Sequence, residues 1–291
     1  MKRLLIALTA AVTVMTACQK EPSFEDPNSN PGSGGGGTGG GSGGGGSTPQ
    51  GLLVRSVQAT STDSTVTQYG YDASKRLTSL AINSSQYNVS VRIVRNSSGI
   101  INQIVLKSDA LTTYGIDSVV SRVNYNSATS RYTSTVYNLS IQGFSFTDST
   151  ALSYDGSGNL TSKMTFERVA PFSYDTISKV DYTYASGNVT TEKGYEYDDS
   201  LGKFVQVTTT SYTYDSKASP LILGVEALLF YDGTLFGSNN ATVVDYVDLT
   251  DPTQNYKVTY SYSYNSSSKP SGGTAVETPG SVNYTLRYYY N

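Results

Sequence analysis

The sequence predicts an all-β protein: a large antiparallel up-and-down meander of hairpin repeats rolled into a barrel-like or trough-shaped sheet, with a short helical or loop insert near 219-240. Three observations carry this reading. Residues 51–291 are rich in Tyr, Thr, Val and Ser and poor in helix formers, and the chain holds 25 Tyr but no Trp. Apolar and hydroxyl residues alternate with period two, as in Val258-Thr-Tyr260-Ser-Tyr262-Ser-Tyr264. Turn signals recur at intervals of about 30 residues, the length of two strands and two turns.

The first element is N-terminal. Lys2 and Arg3 precede an apolar run, Leu4 to Val14, that is too short to span a bilayer as a helix. The run ends in Met15-Thr16-Ala17-Cys18, which resembles a bacterial lipoprotein signal: residues 1-17 read as the signal peptide and Cys18 as the lipidated residue. Several acyl chains on one residue give stable anchoring at about 0.8 kcal/mol per buried CH₂. Gln19-Lys20-Glu21 and Glu25-Asp26 resemble the surface-export signals of Bacteroidetes lipoproteins. The expected location is therefore the bacterial outer membrane, facing the cell exterior, and the membrane is the first expected partner, through Cys18.

Residues 18-50 form the lipidated Cys and a tether. Between Gly32 and Gly46, 12 of 15 residues are Gly, so the segment has high chain entropy and nothing to bury. No GxxxxGK[ST] pattern accompanies the glycines, which excludes a phosphate-binding loop.

The β-repeat domain is 51-291. Val180-Asp-Tyr182-Thr-Tyr184, Thr210-Ser-Tyr212-Thr-Tyr214 and Tyr284-Thr-Leu286-Arg-Tyr288 repeat the alternation, so the Ser/Thr/charged face is wet and the Tyr face is covered. Turn marks follow at Tyr71-Asp72, Arg95-Asn96, Tyr125-Asn126, Tyr154-Asp155, Tyr184-Ala185, Tyr214-Asp215 and Tyr264-Asn265. Asp or Asn opens such turns through side-chain-to-backbone bonds, and Gly158 supplies a positive φ.

Tyr154-Asp-Gly-Ser-Gly-Asn-Leu160-Thr161 resembles the YD repeat of Rhs-type and teneurin-type proteins. The whole pattern is similar to Bacteroidetes lipoproteins of the DUF4595 type, including a late segment that here reads Ser219-Pro220-Leu221 and then Gly237-Ser238-Asn239-Asn240. The resemblance covers roughly 65–291. It implies a large, curved, porin-like antiparallel sheet and no established activity.

Pro220 ends a strand pattern, since it cannot donate to a ladder. The apolar stretch Leu221 to Phe236 then reads as a plug over one end of the sheet. A flat sheet of about 14–16 strands would expose an aromatic face and two edges; rolling it turns the Tyr face inward. A polar outer face of Ser, Thr, Asp and Lys does not match the apolar band of a membrane barrel.

Composition excludes much chemistry. With no His, Ser-His-Asp and Cys-His constellations and His-ligated metals are ruled out. One Cys leaves no internal disulfide and no Cys cluster. A net charge of −3 argues against nucleic acid as a partner. No cofactor, metal site or catalytic residue is expected, and the chain reads as a non-enzyme. The acids open to a hydrolase reading are Glu226, Asp232, Asp245, Asp248 and Asp251; Asp245-x-x-Asp248-x-x-Asp251 lacks the EF-hand spacing for calcium. The expected role is a surface binding or interaction module for a glycan or protein. The alternatives are a structural envelope lipoprotein with no small ligand and, remotely, a carboxylate-dependent glycoside hydrolase.

Five Asp-Ser/Thr-apolar triplets resemble the acceptor motif of Bacteroidetes protein O-glycosylation, which makes Ser64, Ser118, Ser149, Thr176 and Ser200 acceptor candidates.

Overall fold

The computed structural model describes residues 51–141, 144–169, 174–221, 226 and 238–291. The signal peptide, Cys18, the tether, Asp232 and most of the 219-240 insert lie outside these residues.

Among the described residues sixteen strands form one closed antiparallel barrel. They are β1 (Leu53–Ala59), β2 (Ser64–Tyr71), β3 (Leu77–Asn83), β4 (Asn88–Arg95), β5 (Ile101–Ser108), β6 (Val119–Asn126), β7 (Arg131–Ile141) and β8 (Phe144–Tyr154). The second half comprises β9 (Leu160–Val169), β10 (Tyr174–Ala185), β11 (Asn188–Asp198), β12 (Lys203–Ala218), β13 (Asn239–Asp248), β14 (Tyr256–Tyr264), β15 (Pro270–Thr278) and β16 (Val282–Tyr290). Each strand pairs with its sequence neighbours, and β1 closes on β16 from Leu53↔Tyr290 to Ala59↔Thr285. One four-residue helix, α1 (Asp109–Thr112), interrupts the β5–β6 connection.

The alternation read from the sequence is the inside–outside alternation of the wall. In β14, Lys257, Thr259, Ser261 and Ser263 are exposed, while Val258 is buried and Tyr256, Tyr260 and Tyr262 pack inward. In β16, Leu286 and Tyr288 face in and Asn283, Thr285 and Arg287 face out. The interior is not uniform. From β3 to β7 it is largely aliphatic, with Leu80, Ile82, Val91, Ile93 and Leu106. From β10 to β16 Tyr dominates. Closure removes both sheet edges, which settles the choice between trough and barrel.

The barrel has two ends. Gly51 and Asn291 meet at one, joined by a 2.6 Å bond from Gly51 N to Asn291 O, and we call this end proximal. All seven turn marks lie there, because each lies at or within a few residues of the end of an even-numbered strand. The odd-to-even connections, including α1, form the distal end.

The proximal turns share one chemistry. Asp72 Oδ1 accepts from the backbone N–H groups of Ser74 and Arg76, each at 2.9 Å. Asn96, Asp155 and Asn265 repeat this with the residues two and four positions on. The intervening residue is left-handed: Lys75 at φ 65°, Gly99 at 80°, Gly158 at 93° and Ser268 at 59°. Each mark also sits at a register shift, as between Gly70 and Tyr71 or Ser153 and Tyr154. A bulge at this point re-aims the side chain that follows.

Candidate functional site

The Tyr-lined interior is the candidate site, and three zones build it. The first is the proximal ring. The odd-numbered strands open on buried residues, among them Leu53, Leu77, Ile101, Leu160 and Val189. A side chain near the end of the following even strand reaches back to a carbonyl among the odd strand's first three residues. Tyr71 Oη donates to Leu53 O at 2.8 Å, Tyr154 to Tyr132 O at 2.7 Å, and Tyr214 to Val189 O at 2.7 Å. Tyr262 donates to Ala241 O at 2.9 Å and Tyr290 to Pro270 O at 2.8 Å. Where β4 ends in Arg95 instead of Tyr, its Nη2 fills the same role on Leu77 O at 3.1 Å. Each of these carbonyls belongs to a buried residue, where water cannot serve as the donor. Burial holds the Tyr71, Tyr262 and Tyr290 hydroxyls well above the ordinary phenol range and Tyr154 at about 12, so all remain donors.

Leu221 and Glu226, the described interior residues of the β12–β13 connection, also reach this end. Leu221 is buried, and Glu226 forms a bidentate pair with Arg95, including Nη2 to Oε2 at 2.7 Å. Arg95 is 7% exposed at its side chain, and Tyr132 Oη approaches Glu226 Oε1 at 3.5 Å. The root of the connection is clamped: Asn239 N donates to Asn188 Oδ1 at 3.1 Å, and Asn240 Nδ2 donates to Asp215 Oδ2 at 3.1 Å. Tyr264 Oη donates to the same Asp215 carboxylate.

The second zone is a cavity of about 260 Å³ between β1, β2, β14, β16 and this root. One wall is polar, with Ser56, Gln58, Thr65 and Thr67; the other is aromatic, with Tyr260, Tyr262 and Tyr288. Tyr260 and Tyr262 stack at 6.0 Å with an interplanar angle of 2°.

The third zone is an acidic row near the distal end. Asp148 on β8 lies opposite Glu167 on β9, which lies opposite Asp175 on β10. Burial pushes the Asp148 carboxyl up to about 6, the Glu167 charge adds to this, and a hydrogen bond with Tyr137 opposes it. Burial and the Asp175 charge raise Glu167 as well. Like charges directly opposed across strands destabilise, so the row holds a proton more readily than isolated carboxylates do. Sequence reading passed over this row, although Asp148 stands in phase with Phe146 and Leu152 on the inward side of β8.

The acids singled out from sequence are not brought together. Glu226 is at the proximal end. Asp245 is on the outer wall, 3.6 Å from Lys257 Nζ, with both side chains more than two-fifths exposed. Asp248 ends β13 and Asp251 lies in the distal β13–β14 loop, where each binds its own turn, to Thr250 and Thr253. Among the described residues no group of three His, Cys, Asp or Glu has metal-binding geometry. Ser64 and Ser200 are exposed at the distal end; Ser118, Ser149 and Thr176 are half-buried. The Ser200 hydroxyl donates to Asp198 Oδ1 at 2.5 Å.

No protein-family model matches the sequence, and no curated protein matches it. Solved structures do. A porin-like protein from Bacteroides uniformis aligns with a TM-score of 0.51 at 13% identity, over 84% of this chain and 99% of its own. A porin-like protein from Bacteroides vulgatus gives 0.49 at 12% identity, over 82% and 98%. The first of these alignments shows that the chain has a porin-like antiparallel barrel fold.

Proposed function

We propose that the chain is a lipid-anchored protein of the bacterial outer membrane, displayed on the cell exterior, whose barrel is a binding module for a glycan. The cavity carries this reading. Its parallel Tyr rings offer flat faces for a sugar ring, and Gln58, Thr65 and Thr67 opposite them offer amide and hydroxyl groups for sugar hydroxyls. Membership of the DUF4595-type lipoproteins is the finer reading. It rests on the Cys18 signal, the YD-like turns and the Asn239-Asn240 pair. Cys18→Ser, followed by detergent partitioning, tests the anchor: unchanged membrane association would remove it.

With no Trp in the chain, intrinsic emission comes from tyrosine, and Tyr69, Tyr260, Tyr262 and Tyr288 line the cavity. Titration with a panel of mono- and disaccharides should give a saturable change. Gln58→Leu with Thr65→Val should weaken it about tenfold, as expected when buried polar partners are lost. A flat titration across the panel would favour a structural envelope lipoprotein with no small ligand. The hydroxyl-to-carbonyl bonds favour that second reading, since they commit many of the interior Tyr hydroxyls to the fold.

We further infer O-glycosylation at the Asp-Ser/Thr triplets, with Ser64 the most accessible acceptor and Ser200 hindered by its bond to Asp198. Peptide mass spectrometry on protein from the native host should show hexose-containing mass at Ser64, and unmodified peptides at all five positions would refute the inference.

A further inference from the structure

The distal end carries a feature that neither the cavity nor the anchor uses. β12 begins at Lys203, but β13 pairs with it only from Thr208, opposite Asp248. One further bond, from Leu249 N to Val207 O at 2.8 Å, continues the contact. Beyond it the side of β12 facing β13 is open over Lys203–Gln206 among the described residues, while β11 covers the other side through Tyr195↔Gln206 to Asp198↔Lys203. Alternate backbone N–H and C=O groups of an open edge point outward.

The edge is framed by exposed apolar side chains. Leu201 at the β11–β12 tip is 58% exposed, Leu249 beside Val207 is 52% exposed, and Tyr197 on β11 is 39% exposed. Tyr197 packs edge-on against Phe204 at 5.4 Å. The surrounding charge has one dominant sign. Asp198 and Asp199 at one tip and Asp248 and Asp251 at the other stand against Lys203. The Ser200 hydroxyl and the Thr253 hydroxyl, respectively, hold Asp198 and Asp251 below the usual carboxylate range. Their turns also fix both tips, so the frame is preorganised.

We propose that this distal corner is a docking site for an extended, basic, apolar-bearing segment of a partner protein, which adds as a strand along Lys203–Gln206. Main-chain bonds to the open edge give affinity, Tyr197, Leu201 and Leu249 take alternate apolar side chains, and the four aspartates select for Lys or Arg between them. A second copy of this chain is disfavoured as occupant, because it would bring the same aspartates face to face. The edge is also short and opens on Lys203, the usual protection against self-pairing. The corner lies opposite the end at which Gly51 enters the barrel, so an anchor through residues 1–50 leaves it free.

The test uses the full chain in detergent with a fluorescent peptide of about eight residues alternating Lys and Val, the length of an ordinary strand. Saturable binding should slow hydrogen exchange at the Phe204, Val205 and Gln206 amides. The variant D199K/L249K should bind at least about tenfold more weakly while keeping the wild-type unfolding midpoint. A peptide alternating Glu and Val should bind no better than that variant binds the basic one. Absence of binding, equal binding of the acidic peptide, protection away from 203–206, or dimerisation of the chain through this edge would each overturn the proposal.

Discussion

At several proximal bulges a single hydroxyl bonds the carbonyl of a buried residue. Tyr71→Phe keeps the ring and removes the bond to Leu53 O, so it should cost about 1–2 kcal/mol, the loss of one hydrogen bond with its acceptor left buried. Tyr289→Phe on the outer wall, where the ring is 39% exposed, should be nearly neutral. Urea titration of both variants compares them directly. Asp148 sets a pH dependence of the opposite sign to the turn aspartates. Its folded pKa of about 6 lies above its ordinary value of 3.8, so the folded chain holds a proton that the unfolded chain has released. The stability this group contributes is complete below the ordinary value and is lost as pH rises through 6. Asp148→Asn should therefore stabilise the barrel at pH 7 by on the order of 2 kcal/mol, and the gain should shrink between pH 6 and pH 4. Asp155 and Asp251, held low by Asn159 and Thr253, lose their contributions at still lower pH.

At the scale of elements, the proximal hairpin is a repeated unit of Asx turn, left-handed residue, bulge and inward hydroxyl. The same left-handed position accepts Gly158 and Gly99 but also Lys75 and Ser268, since the side-chain bonds from Asp or Asn overdetermine the turn. The β12–β13 connection is held differently, by a pair of charges 131 residues apart in sequence. Glu226→Gln would leave the Arg95 guanidinium buried without its counter-charge and should cost about 3 kcal/mol. Replacing both, Arg95→Met with Glu226→Leu, should recover only part of that loss, because two apolar groups need no desolvation offset but Leu77 O loses its donor. Chemical denaturation of the single and double variants reads the difference. Loss of stability in both to the same degree would point to the connection's shape instead of its charge.

For the whole molecule, closure between β1 and β16 keeps fifteen sequential pairings from ending in two open edges. A chain truncated after Gly280 would lose β16 and leave β1 and β15 each with one open edge. It should scatter light on refolding where the intact chain stays clear, as open edges template association. The interior is divided along the circumference. The sector β3–β7 is packed mainly by aliphatic side chains, while in the sector β10–β16 Tyr dominates and hydroxyl bonds hold it. The cavity lies beside the Tyr sector, between β14, β16, β1 and β2.

The local rules of this protein were readable from its chain. Period two in 258–264 or 284–290 states which side chains face inward, and Asp or Asn after Tyr states where the hairpins turn, because both depend on a few successive residues. Only the tertiary structure decided what those residues meet. Asp245, Asp248 and Asp251 are neighbours in sequence, yet a strand alternates its faces and a loop turns away, so they end on an outer wall and in separate turn caps. Asp148, Glu167 and Asp175 are far apart in sequence and become neighbours through cross-strand register. The same holds for Arg95 with Glu226 and for the Tyr hydroxyls with their carbonyls. Register and bulge position fix each of these pairs, and both are set by the closed sheet as a whole.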